Sequence, residues 1–173
     1  MDWDWRQEEN RLAMSIARVS TKQQEDGVSF EVQENEIAKY CLERGLVLAR
    51  IAKFSESAKN NEHREKYEAE IDYALKHNIK HILFYMSDRE ARNMTDIENN
   101  NKLILKGRIV VHHVQERKVY WQRTSVNDFT MRYIGGSLNS AYSMNIVVKV
   151  TSALIAKAEM GWFPCAVPPL GYI

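Results

Sequence analysis

Short apolar segments typical of buried strands alternate along this chain with segments whose apolar residues recur at helical spacing. The first strand is predicted at Leu12–Val19, which is apolar and runs into a polar loop. A helix is predicted over Phe30–Arg44, with Gly45 as its carboxyl-terminal stop, and a strand pattern returns at Leu46–Phe54. This alternation of strand and helix is what an α/β fold requires.

The alternation continues beyond a polar, loop-like segment over Ser55–His63. An apolar stripe formed by Tyr67, Ile71 and Leu75, four residues apart, predicts a second helix. A short strand is predicted next, at Lys80–Tyr85.

A third helix and a fourth strand complete the pattern. Ser87 and Glu90 fit a capping box, in which each side chain bonds the backbone amide of the other residue, so a helix should run from residue 87 to about Lys106. The next strand is predicted at Arg108–Val114. Strand and helix three times over, followed by a strand, predict an α/β fold with a central sheet of about four to five strands flanked by helices.

A long helix is predicted over residues 128–160. Gly135 and Gly136 could break this helix or delay its start. About 30 residues at ~1.5 Å each extend roughly 45 Å, which exceeds the needs of a small domain, so we expect its apolar row to contact a partner subunit. That row, at intervals of four, consists of Leu138, Tyr142, Ile146, Val150, Leu154 and Ala158.

Length and charge restrict the class of protein. The 173 residues suffice for one domain, which we divide into an α/β core over 1–127, the long helix over 128–160 and an irregular connector over 161–173, where all three prolines lie. With 24 Lys and Arg against 23 Asp and Glu, the net charge of +1 lacks the basic excess of a stand-alone nucleic-acid binder. No apolar run approaches the ~20 residues of a membrane span, and the acidic start is unlike a secretory signal, so we expect a cytoplasmic protein.

One group of residues indicates phosphoryl transfer. Arg18 and Ser20 lie two apart at a strand end, so extended geometry would project both side chains to one face. Arg89 and Arg92 lie three apart at a helix start, hence on one face, with Asp88 just before them. Arginine forks match the non-bridging oxygens of a phosphodiester, which gain charge in transesterification. Each pattern alone is more often an ordinary surface charge pattern, so the combination needs a further argument.

That argument is a resemblance to a known family. The segment Ala17–Gln24, followed by Ser29–Gln33, resembles the amino-terminal signature of the serine recombinases, the family of resolvases, invertases and large integrases. Glu56-Ser57 with the later Arg64 is similar to the family's polar loop and its following arginine. Ser87–Arg92 is similar to the family's D-R-x-x-R motif.

The resemblance implies a resolvase-like fold, a mechanism and a set of site residues. A serine attacks a DNA phosphate to give a 5′-phosphoserine link and a free 3′-hydroxyl, and subunit rotation and reversal follow, with no metal or other cofactor. The implied partners are double-stranded DNA and a second copy of the chain, as a homodimer that becomes a tetramer during strand exchange. The implied catalytic residues are Ser20 as nucleophile, Arg18, Arg89 and Arg92 as phosphate ligands, and Asp88 as a candidate acid for the leaving oxygen. The implied supporting residues are Gln24, Gln33, Ser57 and Arg64.

The carboxyl-terminal part matches the family at one place and departs from it at another. The tail from Lys157 to Tyr172 resembles the junction at which large serine recombinases enter their DNA-binding domain, so we expect such a domain to follow. Counted back from Gly161, the family's Glu-Arg pair falls at Val148 and Lys149, so a carboxylate is lost and a lysine takes the supporting place of an arginine. This departure motivates an alternative, a recombinase-like domain that dimerises and binds DNA without cutting it.

Two other interpretations have less support. A doubly wound nucleotide-binding or signalling domain fits the same order of elements, but no G-x-G-x-x-G or P-loop sequence follows the first strand. A metal site is disfavoured because His112 and His113 alternate sides of a predicted strand, which predicts ordinary surface or hydrogen-bonded histidines. Cys41 and Cys165 lie far apart and form no C-x-x-C pair, which gives a zinc site or disulfide framework little support.

Overall fold

A five-stranded sheet flanked by helices forms the centre of the computed structural model, which describes residues 4–7, 9–19, 30–55, 60–90 and 94–163. The strands are β1 Leu12–Val19, β2 Val47–Ser55, β3 His81–Phe84, β4 Val110–His113 and β5 Lys118–Tyr120. The helices are α1 Phe30–Arg44, α2 Asn60–Lys76, α3 Ser87–Glu90, α4 Met94–Leu105 and α5 Val126–Glu159, and a short 3-10 turn at Trp5–Gln7 precedes β1.

The sheet has the strand order β2-β1-β3-β4-β5. The first four strands in this order are parallel, and β5 pairs antiparallel with β4. Parallel strands covered by helices on both faces are buried throughout, which explains the nearly continuous apolar sequence of β1. The α/β fold predicted from the alternating pattern, with four to five strands, is confirmed.

The two faces of the sheet carry separate cores. On one face, which we call the α1 face, the side chains of Ile37, Tyr40 and Cys41 from α1 form a buried cluster with Ala13 and Leu83 from the strands. The opposite face, which we call the α2 face, is the larger core and is built from α2, α4 and the strands. Its buried residues include Met14, Ile16, Tyr67, Ile71, Ala74, Ile82, Phe84, Ile104 and Val111.

The chain divides into two compact units, residues 1–136 and 137–173. The first contains the sheet, its covering helices and the beginning of α5. Within the second, the predicted apolar row of α5 is exposed, at Leu138, Tyr142, Ile146, Val150 and Leu154. No helix in the described ranges is both long and apolar enough to cross a lipid bilayer.

Gly135 and Gly136 neither break α5 nor delay its start, contrary to one expectation from the sequence. The helix is continuous from Val126 to Glu159, because a glycine inside a helix costs only about 1 kcal/mol and surrounding contacts readily outweigh it. Gly136 lies against α4, where a Cβ atom would overlap Cδ1 of Ile97. This glycine therefore permits a close approach between two helices of the first unit.

The helix predicted from Ser87 to Lys106 is described as α3 and α4, and residues 91–93 between them lie outside the described part. Two further expectations need correction. The helix expected after His63 begins earlier, at Asn60. The loop expected after β4 contains β5, whose three residues are too few to show an alternating pattern.

Candidate active site

The carboxyl ends of β1, β2 and β3 lie side by side at one edge of the sheet. Val19 pairs with Ser55 where β1 and β2 end, and β3 is the other parallel neighbour of β1. Only two residues separate the end of β3 from α3, and α3 contacts both β1 and β3. Ligand sites of open α/β sheets occur at this edge. Ser20 follows Val19 directly in the sequence, so the predicted nucleophile is connected to this edge.

Asp88 and Arg89 are the predicted site residues whose side chains the structure places together. Both belong to α3, and Nε of Arg89 lies 3.8 Å from Oδ2 of Asp88. The Arg89 side chain is 24% exposed and the Asp88 side chain 46%, so solvent or a ligand reaches both. The arrangement therefore presents a guanidinium and a carboxylate at the edge where β1 ends.

The other predicted site residues divide into three groups. Gln33 is fully buried on α1, and Lys149 is exposed on α5 within the second unit. The backbone of Arg18 is in β1 and that of Arg64 is in α2, whereas their side chains lie outside the described part of the chain. Four predicted site residues lie wholly outside the described residues: Ser20, Gln24, Ser57 and Arg92.

Glu90, the last residue of α3, points into the core of the α2 face and is 2% exposed. Its Oε2 lies 2.7 Å from Nε2 of His113 on β4, and its Oε1 accepts a hydrogen bond of 2.7 Å from Asn100 on α4. Arg132 of α5 donates to the same Oε1. The capping-box role predicted for this carboxylate is therefore wrong, because Glu90 instead joins α3 to three other elements of the core.

The backbone amide of Ser87, at the start of α3, is also held by a residue that contacts His113. Ser87 N–H donates to Oε1 of Glu116, in the turn between β4 and β5, over 2.9 Å. Oε2 of Glu116 lies 3.5 Å from Nδ1 of His113. Ser87, Glu90, His113 and Glu116 thus form a closed loop of contacts around α3, which we call the α3 clamp. The clamp holds both ends of the turn that carries Asp88 and Arg89.

The charges of the clamp are mutually stabilised. Burial by itself would raise the pKa of Glu90, but Arg132, His113 and Asn100 outweigh it and lower this pKa to about 2. Hydrogen bonding to His113 and to Ser87 lowers the pKa of Glu116 to about 2 against the effect of partial burial. Burial opposes a charge on His113, yet the carboxylates of Glu116 and Glu90 outweigh it and raise the pKa of His113. The two carboxylates and the imidazole therefore favour each other's charged forms.

Arg132 supplies the remaining charge of this cluster. Its side chain is 3% exposed, and the centre of its guanidinium lies 4.3 Å from the centroid of the Tyr120 ring, a cation–π distance. Asn100 also donates a hydrogen bond of 2.7 Å to the hydroxyl of Tyr67. Burial, followed by the charge of Glu90, raises the pKa of Tyr67, so this hydroxyl stays protonated.

Comparison with known proteins identifies the family. The family model for the resolvase amino-terminal domain matches residues 13–162. The chain belongs to the resolvase family of serine recombinases. This confirms the resemblance found in the sequence, although no curated protein matches the chain.

Two solved structures have a similar fold. The resolvase-family chain is similar to a resolvase family site-specific recombinase from Streptococcus pneumoniae, with a TM-score of 0.55 and 16% identity over 86% of this chain and 98% of that chain. It is also similar to the N-terminal catalytic domain of TP901-1 integrase, with a TM-score of 0.51 and 16% identity over 78% of this chain and 98% of that chain. At these identities the similarity establishes the fold.

Several residues of this resolvase-family site were missed by sequence reasoning. Glu90, His113, Glu116 and Arg132 all support α3, but they are separated by up to 42 residues and come from three elements and a turn. One signal was available, because the alternation of β4 places His112 and His113 on opposite faces of a sheet that is covered on both. In the described ranges no group of three or more His, Cys, Asp or Glu side chains is suited to a metal ion.

Proposed function

We propose that this domain cleaves and rejoins DNA as the catalytic domain of a site-specific recombinase, with Ser20 as its nucleophile. The observation that carries the proposal is the position of α3. This turn holds Asp88 and Arg89 against β1, the strand that leads directly into Arg18-Val19-Ser20. The family match over residues 13–162 supports the same assignment.

The proposed chemistry is a transesterification. Ser20 Oγ forms a bond to the phosphorus of a DNA phosphodiester and releases its proton to water, and the bond between phosphorus and O3′ breaks. The leaving 3′-oxygen takes up a proton, for which Asp88 is the candidate donor. The product is a 5′-phosphoserine ester and a free 3′-hydroxyl, and the reverse reaction rejoins the strand.

Three arginines would stabilise the charge that develops on the non-bridging oxygens: Arg18, Arg89 and Arg92. A guanidinium keeps its proton at any physiological pH and can bind two oxygens at once. Gln24, Gln33, Ser57, Arg64 and Lys149 are proposed to support the site. Removing one preorganised donor from such a site typically costs about 100- to 1,000-fold in rate.

The proposed partners are double-stranded DNA and further copies of this chain. The exposed apolar row on α5 supports self-association, because contiguous exposed apolar surface marks interaction sites. We propose a homodimer that becomes a tetramer during strand exchange. The net charge of +1 gives this domain little general attraction to DNA, so a further domain would supply most of the affinity.

The test is a denaturing-gel assay for covalent protein–DNA adducts. The full-length protein is incubated with duplexes spanning the ends of its genetic element, and the native chain is compared with Ser20→Ala, Arg89→Ala and Arg108→Ala. We expect no adduct with Ser20→Ala, about 100-fold slower formation with Arg89→Ala, and native rates with Arg108→Ala, since Arg108 is exposed two residues before β4. Adduct formation by Ser20→Ala would refute the assignment of the nucleophile.

A second candidate function rests on Val148, which stands where the family usually has a carboxylate. In this alternative the domain dimerises and binds DNA without cutting it. Both Val148 and Lys149 are exposed on α5. Binding to the same duplexes with no adduct from the native chain would favour this alternative.

A further inference from the structure

We propose that His113 is a positioning residue that fixes the α3 turn through the α3 clamp, and that its loss of a proton releases the amino-terminal end of that turn. The proposal rests on the proposed function, since it concerns the turn that carries Asp88 and Arg89. His113 is 1% exposed. Its contacts with Glu90 and Glu116 do not involve the Asp88 carboxylate or the Arg89 guanidinium. It acts through Glu90 and Glu116.

The geometry favours protons on both ring nitrogens of His113, because a carboxylate oxygen lies near each of them. Nε2 lies 2.7 Å from a carboxylate oxygen of Glu90, and Nδ1 lies 3.5 Å from a carboxylate oxygen of Glu116. Ionised carboxylates only accept hydrogen bonds, so a neutral ring could donate to one of them and would turn a lone pair towards the other. The imidazolium form therefore suits both sides of the clamp, through a hydrogen bond from Nε2 to Glu90 and a longer electrostatic contact between Nδ1 and Glu116.

Among the residues that the structure describes, the titratable or charged groups that face His113 belong to α2, α3, α5, β5 and the β4–β5 turn. Two carboxylates raise the pKa of His113, and one buried guanidinium lowers it. The groups are Glu90 on α3, Glu116 in the β4–β5 turn, Arg132 on α5, Tyr120 and Lys118 on β5, and Tyr67 on α2 by way of Asn100.

Deprotonation should open the clamp on one side. The contact with Glu90 is the shorter one and keeps the single remaining proton, so the neutral Nδ1 faces the charged Glu116. Glu116 also holds the Ser87 amide, so its displacement frees the start of α3. The carboxylates raise the pKa of His113, which means that the clamp is complete below about pH 6.5 and is lost as pH rises through the raised value.

The chain offers a matched control at the adjacent position. His112 is buried on the same strand but faces the α1 face, where its partners are Tyr40 and His81. Replacement of either histidine by glutamine removes a buried imidazole of the same size. Only the replacement at position 113 removes a member of the clamp.

The first measurement is an NMR titration of this 173-residue chain with labelled histidine and labelled backbone amides. We expect both nitrogens of His113 to be protonated at pH 6 and the Ser87 and Arg89 amide shifts to follow its titration. Glu116→Gln keeps an acceptor for the Ser87 amide but removes a charge, so it should move that midpoint to lower pH. The proposal would be overturned if the Ser87 and Arg89 amide shifts did not change as His113 titrates. It would also be overturned if Glu116→Gln left the titration midpoint of His113 unchanged.

The second measurement is the pH profile of adduct formation by the full-length protein on duplexes spanning the ends of its genetic element. We expect the native rate to fall as pH rises through the pKa of His113, and His113→Gln to be slower on the order of 10- to 100-fold below that pKa and to lack this limb. His112→Gln should keep the limb. Loss of the limb in both variants, or in neither, would show that position 113 has no special role.

The two proposals fail in different ways. A native chain that forms no adduct on DNA it binds refutes the cleavage function, whereas the amide titration still decides whether His113 holds α3. Adducts from a native chain whose α3 amides do not respond to His113 would refute the positioning role alone.

Discussion

Two adjacent residues of β4, His112 and His113, are both buried, yet they belong to clusters of opposite character. On the α1 face, His112 contacts Tyr40 and His81, and its ring packs edge-on against Trp5 with centroids 5.1 Å apart. On the α2 face, His113 lies among the carboxylates of Glu90 and Glu116 and the guanidinium of Arg132. Because burial lowers the pKa of both rings, the neighbouring carboxylates account for the raised pKa of His113.

The neutral cluster fixes its own tautomers. Nε2 of His81 lies 3.0 Å from the carbonyl oxygen of Asn10, which can only accept, so this nitrogen donates. When His81 is neutral its Nδ1 must accept, from Nε2 of His112 at 3.0 Å, and Nδ1 of His112 then accepts from the Tyr40 hydroxyl at 3.0 Å. A proton added to Nδ1 of His112 would turn the Tyr40 hydroxyl from donor to acceptor and would place a charge within a buried cluster. Burial and then the nearby His81 hold the pKa of His112 well below its usual value.

The fold uses these two neighbouring histidines for opposite purposes. His112 fills the α1 face and stabilises the fold only while neutral. His113 joins β4 to α3 and stabilises it only while charged. The folding free energy should therefore depend on pH with opposite signs at the two positions.

The largest effect should come from Glu90→Gln, which removes the central charge of one cluster and leaves the other intact. Arg132 and the imidazolium of His113 would then be buried without their shared counter-charge, and breaking such a buried pair costs about 3–5 kcal/mol. Urea unfolding at pH 6 measures the loss. Glu70→Gln is the control, because Glu70 pairs with the part-exposed Arg50 and should cost less than about 1 kcal/mol. Equal losses in the two variants would contradict a charged core on the α2 face.

The next effect is the loss of unfolding free energy as pH falls into the acid range. This loss should be smaller in His112→Gln. The lowered pKa of His112 means that below about pH 6.5 the unfolded chain binds a proton that the folded chain excludes. Each pH unit below that value costs about 1.4 kcal/mol for one such group. Unfolding free energies between pH 7 and pH 5 would reveal the slope, and His113→Gln should retain it. An unchanged slope in His112→Gln would mean that this ring is not the neutral group inferred here.

A smaller effect of the opposite sign is expected from His113→Gln. The raised pKa of His113 means that its contribution to stability is complete below the unfolded value near 6.5 and disappears as pH rises through the folded value. The native chain should therefore lose stability between neutral and moderately alkaline pH, and His113→Gln should not. Thermal unfolding at a series of pH values tests this, with His112→Gln expected to behave like the native chain. If the stability of the native chain did not change across that pH range, His113 would not contribute the opposite pH dependence expected of it.

The fold was largely predictable because its signals are local. The bounds of β1 were predicted to the residue and those of α1 closely, since a buried strand and a helix closed by Gly45 each have a pattern that adjacent residues carry. Gly45 has a φ of 64°, in the left-handed region that favours glycine, and the Leu46 amide donates to the Cys41 carbonyl over 2.9 Å. By contrast, the three residues of β5 become a strand only because β4 pairs with them.

The candidate site was predictable only in part, for the same physical reason. Asp88 and Arg89 belong to a contiguous motif, which a resemblance can reveal. Glu90 stands three residues after Ser87, so the local capping rule assigned it the wrong role. Its actual partners, His113 and Arg132, lie 23 and 42 residues away. No pattern of spacing reports a contact that exists only after the sheet and α5 have packed.

The smallest expected effect concerns Gly136, which lies one helical turn after Arg132 on α5 and faces α4. A methyl group there would overlap Cδ1 of Ile97 and approach the Met94 sulfur to 3.3 Å, so α5 must shift or Ile97 must move. Overpacking of this kind costs about 1–3 kcal/mol, from which a helix gain of up to ~1 kcal/mol is subtracted. Gly136→Ala should therefore be destabilising by about 1 kcal/mol and should displace Arg132 from Glu90.

Gly135→Ala provides the matched comparison, because nothing lies within 4 Å of the added methyl group. The gain in helix propensity then acts alone, and this variant should be more stable than the native chain by about 0.5–1 kcal/mol. Urea unfolding of both variants gives the two signs, and the Glu90 and His113 resonances should move only in Gly136→Ala. Stabilisation by both substitutions would mean that α5 does not approach α4 closely at Gly136. The contacts among Glu90, His113 and Arg132 would then not depend on a close approach of these helices.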